Sequence, residues 1–442
     1  MPEAIKQKRR IHIMSHKPRT HKVFIHRFSP PLQHLYAVLP VLVGLLFAFV
    51  FLSCSSAKLT STSSQAGEWV GTWATGPQLV EPRNMPPEPG LSNNTLRQIV
   101  HVSLGGDSLR VKFSNEFGTS PVTIKAVHIA ISEDSSAIEP NTDKALNFDG
   151  KPDVTIQPGI AVTSDPFGFE LKPLSNVTIT IYFGSTSPDV TGHPGSRTTS
   201  YILTGDKVSA ADFPGAAKTD HWYIVKGIDV VAPKSAAAIV VLGNSITDGR
   251  GSGTNKQNRW PDELANRLQA NPGTREVAVL NEGIGGNCVL QGGLGSTALS
   301  RFNRDVINQT KVRWLIILEG INDIGGARGP EASAIVADRL IDAYKWMIKT
   351  AHANGIEVYG ATMTPFGGSF YDRPGHEEAW KKVNDWIRNS DSFDAVIDLD
   401  AAMRDPANPL HILPKDDSGD HLHPSEAGHK RMAEAVDLSL FK

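Results

Sequence analysis

The sequence predicts an α/β domain with a three-layer α/β/α architecture, residues 234–442, preceded by an all-β sandwich or jelly-roll domain, residues 67–233. Two observations carry this prediction. In the first part, short β-branched segments are separated by clusters of Gly, Pro, Asn and Asp, which is typical of sandwiches and jelly rolls. In the second part, strand-like and helix-like segments alternate, which is typical of a parallel sheet with helices on both faces.

The elements follow in order along the chain. The clearest strands of the first domain are 109–113, 122–129 and 177–183. The segment Pro233-Lys-Ser235 marks the change of pattern. In the second domain we expect strands at 237–242, 277–281, 312–318, 356–362 and 394–398. The expected helices are 260–270, 297–308, 332–353, 376–389 and 424–438.

Residues 1–54 are typical of an export signal or a membrane anchor. Eight Lys and Arg residues precede an uncharged run of 18 residues, Tyr36 to Ser53. Such a run is slightly long for a signal core and just long enough to span a bilayer. Cys54 follows at once, and residues 55–66 form a Ser/Thr-rich linker. Three alternatives stay open: a lipoprotein with Cys54 as the lipidation site, a signal cleaved near Ala57, and an uncleaved anchor. Each places the rest of the chain outside the cytoplasm, in the cell envelope or secreted.

Charge and cysteine content argue against a nucleic-acid-binding protein and against a disulfide-stabilised fold. From Gly67 onward, acidic residues outnumber basic ones by 45 to 35, so a nucleic-acid partner is not expected. The chain has only 2 cysteines, Cys54 and Cys288, so no disulfide framework supports the fold.

Ser245 is the first candidate catalytic residue. It follows the apolar run Ile239 to Leu242 and Gly243, where a buried parallel strand would end. Open α/β sheets place their chemistry at the carboxyl ends of their strands. A serine hydroxyl at such a position needs an adjacent base to become a nucleophile.

The candidate base and its partner lie near the C-terminus. Asp420 and His423 stand three residues apart, just before a helix start at Pro424-Ser-Glu426. At this spacing a carboxylate can orient the imidazole beside it and stabilise the imidazolium. The chain order Ser, Asp, His is that of the α/β-hydrolases, but the second glycine of their nucleophile motif is missing here.

Acyl transfer also needs hydrogen-bond donors for the oxyanion. The segment Leu280 to Asn287 follows the second predicted strand and offers backbone N–H groups. The segment Leu318 to Asp323 follows the third strand and offers the side-chain amide of Asn322. Both end at the same predicted sheet edge as Ser245.

These four segments resemble the signature blocks of the SGNH (GDSL-type) hydrolases over about residues 236–440. The resemblance implies Ser245 as nucleophile, His423 as base and Asp420 as its partner. It also implies an oxyanion hole made by the Ser245 N–H, the Gly286 N–H and the Asn322 side chain. One position departs from the family pattern: Asn244 stands where Asp is usual. We expect the Asn244 side chain to brace the turn, the alternative being that the lost charge slows the nucleophile.

The front domain is similar to the β domain of one subgroup, which includes arylesterases or acylhydrolases associated with xylan breakdown. Four segments carry this looser match: 71–74, 95–98, 109–111 and 114–118. The resemblance implies an exported serine carboxylester hydrolase without cofactor or metal, with acetylated polysaccharide as one substrate. A lipid or aryl ester hydrolase of lysophospholipase type is the alternative within the class. The alternative from another class is a catalytically impaired carbohydrate-binding protein.

Overall fold

Two antiparallel sheets form the first part of the chain in the computed structural model, which describes residues 67–442. The first sheet has the order β1-β15-β4, with β8 and β9 both paired to β4. Strands are numbered along the chain, and the bounds here are β1 Glu68–Ala74, β4 Gly106–Ser114, β8 Ala161–Thr163, β9 Phe167–Leu171 and β15 Val225–Ala232.

The second sheet has the order β13-β12-β3-β10-β5-β6, with β7 also paired to β5. Its strands are β3 Asn94–His101, β5 Val122–Ile131, β6 Lys144–Ala145, β7 Val154–Ile156, β10 Asn176–Phe183, β12 Ser200–Thr204 and β13 Ala217–Thr219. In both sheets, successive side chains of a strand point to opposite faces. In β4 of the first sheet, Leu109, Val111 and Phe113 are buried, while the residues between them are partly exposed. The expected all-β domain is confirmed.

The second part of the chain is built on a five-stranded parallel sheet with the order β17-β16-β18-β19-β20. Its strands are β16 Ala237–Gly243, β17 Val277–Gly283, β18 Val312–Leu318, β19 Glu357–Ala361 and β20 Ala395–Ile397. The helices are α1 Ser245–Asp248, α2 Trp260–Ala270, α3 Ala298–Phe302, α4 Ile321–Gly326, α5 Pro330–His352, α6 His376–Asn389, α7 Leu399–Met403 and α8 Glu426–Glu434.

Both faces of this sheet are covered, as its unbroken apolar strands predict. Along β16, Ala238, Val240 and Leu242 pack with residues of α3, α5 and α6. Ile239 and Val241 pack on the other face with residues of α2, α7 and α8. The expected three-layer α/β/α architecture is therefore confirmed.

Two small sheets complete the described chain. Strands β2 Gln78–Leu79, β11 Thr191–His193 and β14 Trp222–Tyr223 form one of them, in the order β14-β11-β2. Strands β21 Arg404–Asp405 and β22 Asn408–Ile412 form the other.

The β domain covers the free edge of the parallel sheet. Strand β17 is the edge strand, and Ser103 Oγ accepts from Val279 N at 2.9 Å and donates to Val279 O at 3.2 Å. The Gly71 N–H donates to Thr310 O at 3.0 Å. One hydrophobic cluster includes Val70 of β1 and Leu280 of β17. The division near Pro233 thus stays a prediction about sequence organisation, because the two parts share a core.

A few element bounds differ from the sequence prediction. The helix expected at 297–308 is α-helical only over Ala298–Phe302 and continues as a π-helical turn, Asn303–Ile307. The last helix spans Glu426–Glu434 rather than 424–438. Between residues 67 and 442, no helix has both the length and the apolar character needed to cross a bilayer. The predicted leader, Cys54 and the linker lie outside the described residues.

Candidate active site

Ser245 begins α1 directly after β16, at the carboxyl edge of the parallel sheet. The turn is held by Asn244, whose Oδ1 accepts from the Ile246 N–H at 3.1 Å as the N-cap of α1. Ser245 is 8% exposed, and its Oγ lies 2.8 Å from His423 Nε2. The hydroxyl therefore has a base within hydrogen-bond reach, as an activated nucleophile requires.

Asp420 and His423 form the second contact of the constellation. The Asp420 Oδ2 lies 2.7 Å from His423 Nδ1. Its Oδ1 accepts from the backbone N–H groups of Leu422 at 3.1 Å and His423 at 2.9 Å. His421 adopts a left-handed backbone, φ +60°, which turns the chain sharply enough to bring both side chains to the same side. The two contacts of the His423 ring thus link the Ser245 hydroxyl to the Asp420 carboxylate.

The surroundings set the protonation states that base catalysis needs. Burial alone would raise the pKa of Asp420, but the His423 and Leu422 N–H groups and the His423 ring outweigh it and lower this pKa to about 2. Burial lowers the pKa of His423, against the opposing effect of Asp420. At neutral pH the pair is therefore a carboxylate beside a neutral imidazole, and the free Nε2 lone pair can accept the serine proton.

Three N–H donors surround the space in front of Ser245. Among the hydrogen bonds of residues 67–442, neither the Ser245 N–H nor the Gly286 N–H has an acceptor. Asn322 Nδ2 donates to Asn287 O at 2.7 Å, and Asn322 Oδ1 accepts from the Tyr371 hydroxyl at 2.9 Å. An amide nitrogen carries two hydrogens, so one is left for another acceptor. Ser245, Gly286 and Asn322 all line one cavity.

A buried polar cluster behind the nucleophile was missed by sequence reasoning. Arg301 is fully buried and donates to the carbonyls of Gly243 at 3.0 Å and Glu282 at 2.6 Å, and to Asn287 Oδ1 at 3.1 Å. It therefore ties the ends of β16 and β17 to the loop that carries Gly286. The signal in the sequence was the pair of acids at two strand ends, Glu282 and Glu319.

Glu319 explains how the chain accommodates Asn244. Asn244 Nδ2 donates to Glu319 Oε2 at 3.3 Å. Burial, outweighing the nearby Arg301, raises the pKa of Glu319 to about 8. An aspartate at position 244 would place a second carboxyl group against this acid, whereas the amide donates to it. The expectation that Asn244 braces the turn agrees with both of its hydrogen bonds.

Three further residues near the site have structural contacts. Asp323 accepts from the Val289 N–H at 2.8 Å and the Leu290 N–H at 2.9 Å, and so holds the loop after β17. His429 is buried, and its Nδ1 accepts from the Trp260 N–H at 3.2 Å. Trp260 is 0% exposed, which leaves it unavailable to substrate.

The β domain holds the helix that begins at Ser245 through buried contacts of His193. His193 Nε2 lies 2.8 Å from Asp248 Oδ1, and His193 Nδ1 lies 2.9 Å from Gly76 O. Each ring nitrogen therefore faces an oxygen atom. Gly195 passes so close that a Cβ there would lie 1.9 Å from Asp248 Oδ2. This contact admits only glycine at position 195.

The cavity in front of Ser245 has a volume of about 520 Å³ and walls from both domains. The hydrolase sheet supplies Ser245, Gly286, Asn322 and His423. The β domain supplies Gln78, Arg83, Gly195, Arg197 and His221, none of which was predicted from the sequence. The β domain is therefore part of the wall of this cavity.

The chain was compared with known proteins. No curated protein sequence matches the chain. Three solved structures are similar to part of it at low identity, each with a TM-score of 0.35. A protein described as lipolytic and of the G-D-S-L family, from Desulfitobacterium hafniense, is 23% identical over 45% of this chain and 97% of its own. A GDSL-like lipase from Bacteroides thetaiotaomicron is 21% identical over 47% and 90%. An acetylxylan esterase from Geobacillus stearothermophilus is 22% identical over 46% and 94%.

The family assignment rests on the sequence of the second domain. Residues 241–431 match the model of the GDSL-like lipase/acylhydrolase family. This range contains the candidate nucleophile Ser245, the Asp420–His423 pair and the donors Gly286 and Asn322. Residues 241–431 of this chain therefore form a GDSL-like lipase/acylhydrolase domain, as found in hydrolases.

Proposed function

We propose that the protein is a serine carboxylester hydrolase that works through an acyl-enzyme. Ser245 Oγ attacks the ester carbonyl carbon and transfers its proton to His423 Nε2. The tetrahedral intermediate then collapses, and His423 returns the proton to the leaving alcohol. Water attacks the acyl-serine with His423 again as base, which releases the acid and restores Ser245. Asp420 keeps the imidazole oriented and stabilises its charged form.

The three donors in front of Ser245 suit the negative charge of the tetrahedral intermediate. We assign the Ser245 N–H, the Gly286 N–H and the free hydrogen of Asn322 Nδ2 to this oxyanion hole. Fixed donors of this kind need no reorganisation when charge develops on the carbonyl oxygen. The Tyr371 hydroxyl supports the assignment, because its bond to Asn322 Oδ1 fixes which end of the amide faces the cavity.

The 2.8 Å contact from Ser245 Oγ to His423 Nε2 is the observation that carries the proposal. A fluorophosphonate probe should label the parent protein at Ser245 alone. The Ser245→Ala variant should lose labelling and ester turnover while its melting temperature stays close to that of the parent, because the change is small. Labelling at another residue, or full activity of the variant, would refute the assignment.

For the natural substrate we propose an ester of a polysaccharide, an acetylated xylan being one example. The support is the resemblance of residues 67–233 to the β domain of a xylan-associated subgroup, together with the contribution of that domain to the cleft. A lipid or aryl ester is the alternative. Initial rates on acetylated xylan, on lysophospholipid and on aryl esters of graded acyl length distinguish these substrates.

A catalytically impaired carbohydrate-binding protein is the second candidate function, and Asn244 is the observation that favours it. An impaired protein would retain polysaccharide on an affinity gel but release no acid from any aryl acetate. Turnover of an aryl acetate that disappears in Ser245→Ala would exclude this candidate. Retention without turnover would establish it.

We also propose that the protein is exported, on the basis of residues 1–54. If Cys54 carries a lipid, Cys54→Ser should move the protein from the membrane fraction to a soluble form or an uncleaved precursor. An unchanged need for detergent with an intact N-terminus would instead indicate a spanning anchor. A soluble parent protein that begins near Ala57 would indicate a cleaved signal.

A further inference from the structure

The cavity in front of Ser245 is lined by arginines, two of which lack a carboxylate partner. The three arginines are Arg83, Arg197 and Arg250. Three carboxylates line the cavity as well, and each is held by other hydrogen-bond partners. Asp420 is bound by His423, Asp248 by His193, and Glu81 accepts from Gln78 Nε2 at 2.9 Å and Asn84 Nδ2 at 2.8 Å. Within residues 67–442, neither Arg83 nor Arg197 has a carboxylate within ion-pair distance, and Arg250 has only Asp420 at 3.8 Å.

Arg197 is the best placed of the three. Its side chain is partly buried, and its Nε is buried without a hydrogen-bond partner among the described residues. Leaving a charged donor unpaired in this way is costly, so a site of this kind is completed when an acceptor arrives. Nε itself is closed off from the cavity, but the terminal nitrogens of Arg197 also lack a hydrogen-bond partner among residues 67–442 and are not buried, so an anion in the cavity can accept from them.

The loop that carries Arg197 is held firmly. Arg197 has a φ of +51°, a backbone conformation that is uncommon outside glycine. Its carbonyl accepts from the Asn255 N–H at 2.9 Å, and the Arg259 guanidinium donates to the neighbouring Ser196 carbonyl. Arg259 in turn lies over the Trp222 ring at 5.1 Å. The guanidinium is thus presented from a fixed backbone, which lowers the entropy lost when it binds a ligand.

We propose that the arginines lining this cavity, Arg83, Arg197 and Arg250, bind an anionic group carried by the ester substrate, a carboxylate or a phosphate. The inference rests on the proposed esterase function and names the substrate class of that site. A guanidinium offers a planar fork of N–H donors that matches both anions. Ser245 and His423 line the same cavity, so the anion would be bound close to the ester carbonyl.

The effect of these charges on the catalytic base gives independent support. Burial is the main cause of the low pKa of His423, but the positive charges of Arg250 and Arg197 lower it further. Their fields therefore reach the reacting centre. Because the charges are close to the base, an anion that binds to them is also within reach of the nucleophile.

Three matched acetyl esters test the proposal. They are para-acetoxybenzoate, its neutral methyl ester, and para-acetoxyphenyl phosphate. Each kcat/KM is divided by the alkaline hydrolysis rate of the same ester, which removes differences in leaving-group reactivity. We expect the parent protein to prefer an anionic ester by about tenfold or more, since a hydrogen bond to a charged group contributes roughly 1.5–3 kcal/mol. The better of the two anions identifies whether carboxylate or phosphate fits the site.

Variants at Arg197 show whether this residue causes the preference. Arg197→Gln should reduce the ratio of anionic to neutral rates by about tenfold, whereas Arg197→Lys should keep part of it. The ratio cancels any effect of the variant on His423, which acts on every ester. Arg275→Gln is the matched control, because Arg275 is exposed and lies outside the cavity, and its ratio should equal that of the parent.

The outcomes separate the two proposals. Hydrolysis of the neutral ester at the same normalised rate as both anionic esters overturns the anion site and leaves the esterase function intact. A preference that survives in Arg197→Gln also overturns it. Failure to hydrolyse any of the three esters overturns the esterase function together with this inference.

Discussion

The two walls of the cleft are built on different principles. The reacting groups of the first wall stand at the carboxyl ends of parallel strands, where β16 delivers Ser245 and β18 leads to Asn322. The second wall comes from loops and short strands of an antiparallel domain, and carries Arg83 and Arg197. The first wall has the geometry for bond making and breaking. The second has charge and shape, which suit substrate selection.

The difference between the two walls indicates which residues should control the choice between ester substrates. Changes in the first wall should reduce turnover of every ester, since the same nucleophile and base serve all substrates. Changes in the second wall should alter the choice between esters or the stability of the nucleophile helix. Four measurements test this division of roles.

The largest effect is expected at Asp420. Asp420→Asn leaves the shape of the side chain nearly unchanged but removes the negative charge that orients and stabilises the imidazolium. We therefore expect kcat to fall by about 10⁴. Asp417→Asn is a matched control in the same loop, because Asp417 Oδ2 pairs with His421 at 2.6 Å, away from Ser245. Steady-state kinetics give the loss of kcat in each of the two variants. Equal losses in the two variants would show that loop structure, and not the role of Asp420, is what matters.

A smaller loss is expected at Asn322. Removal of one oxyanion donor costs about 10²–10³ in kcat, so Asn322→Ala should show this loss with KM little changed. Asn322→Asp should be at least as damaging, since a carboxylate repels the developing charge. Tyr371→Phe is the control that removes only the hydrogen bond to Asn322 Oδ1. A fall in melting temperature without a loss of kcat would assign Asn322 to turn structure alone.

The second wall is tested through His193. His193→Ala leaves the buried carboxylate of Asp248 without its partner, which should lower the free energy of unfolding by about 3 kcal/mol. The exposed pair His352–Asp394, with side chains 44% and 37% exposed, gives the control, and His352→Ala should cost less than about 1 kcal/mol. Urea unfolding followed by fluorescence measures both. Similar losses in the two variants would remove the special role of the contact between the β domain and α1.

The smallest effect concerns pH. His423 must be neutral to accept the serine proton, so kcat/KM falls tenfold per pH unit below its pKa, and burial places that pKa below the ordinary histidine value. Arg250→Gln removes a positive charge that lowers this pKa, so the acid limb of the profile should move to higher pH. Arg275→Gln should leave the limb in place. A shift to lower pH in Arg250→Gln would contradict the electrostatic assignment.

The chemistry of the first wall was largely predictable. Apolar runs fix the strands of a buried parallel sheet, and the order of the strands brings their carboxyl ends together. Ser245, Asn322 and the Asp420–His423 pair follow these strands or precede the last helix, and the structure brings all of them to one cavity. Their distances to one another could not be predicted, because they depend on side-chain packing between segments up to 178 residues apart.

The second wall and the buried cluster were not predictable in the same way. Arg301 lies in a short helix and resembles a surface residue in the sequence, yet it reaches the Gly243 carbonyl 58 residues away. His193 meets Asp248 of α1, and the Arg197 carbonyl meets the Asn255 N–H in the loop that follows, where the β domain packs against the hydrolase part. No local pattern of hydrophobicity records how one domain docks on another, so these residues appear only in the tertiary structure.

Because the β domain covers the edge strand β17, the hydrolase part depends on it for solubility. Ser103 satisfies the backbone of Val279 at that edge, and Gly71 approaches so closely that a Cβ there would lie 2.9 Å from Leu280 Cδ1. Excision of the hydrolase part would expose an unpaired strand edge and an apolar surface at once, and bare edges of this kind invite aggregation. We therefore expect a fragment of residues 234–442 to aggregate under conditions in which residues 67–442 stay in solution.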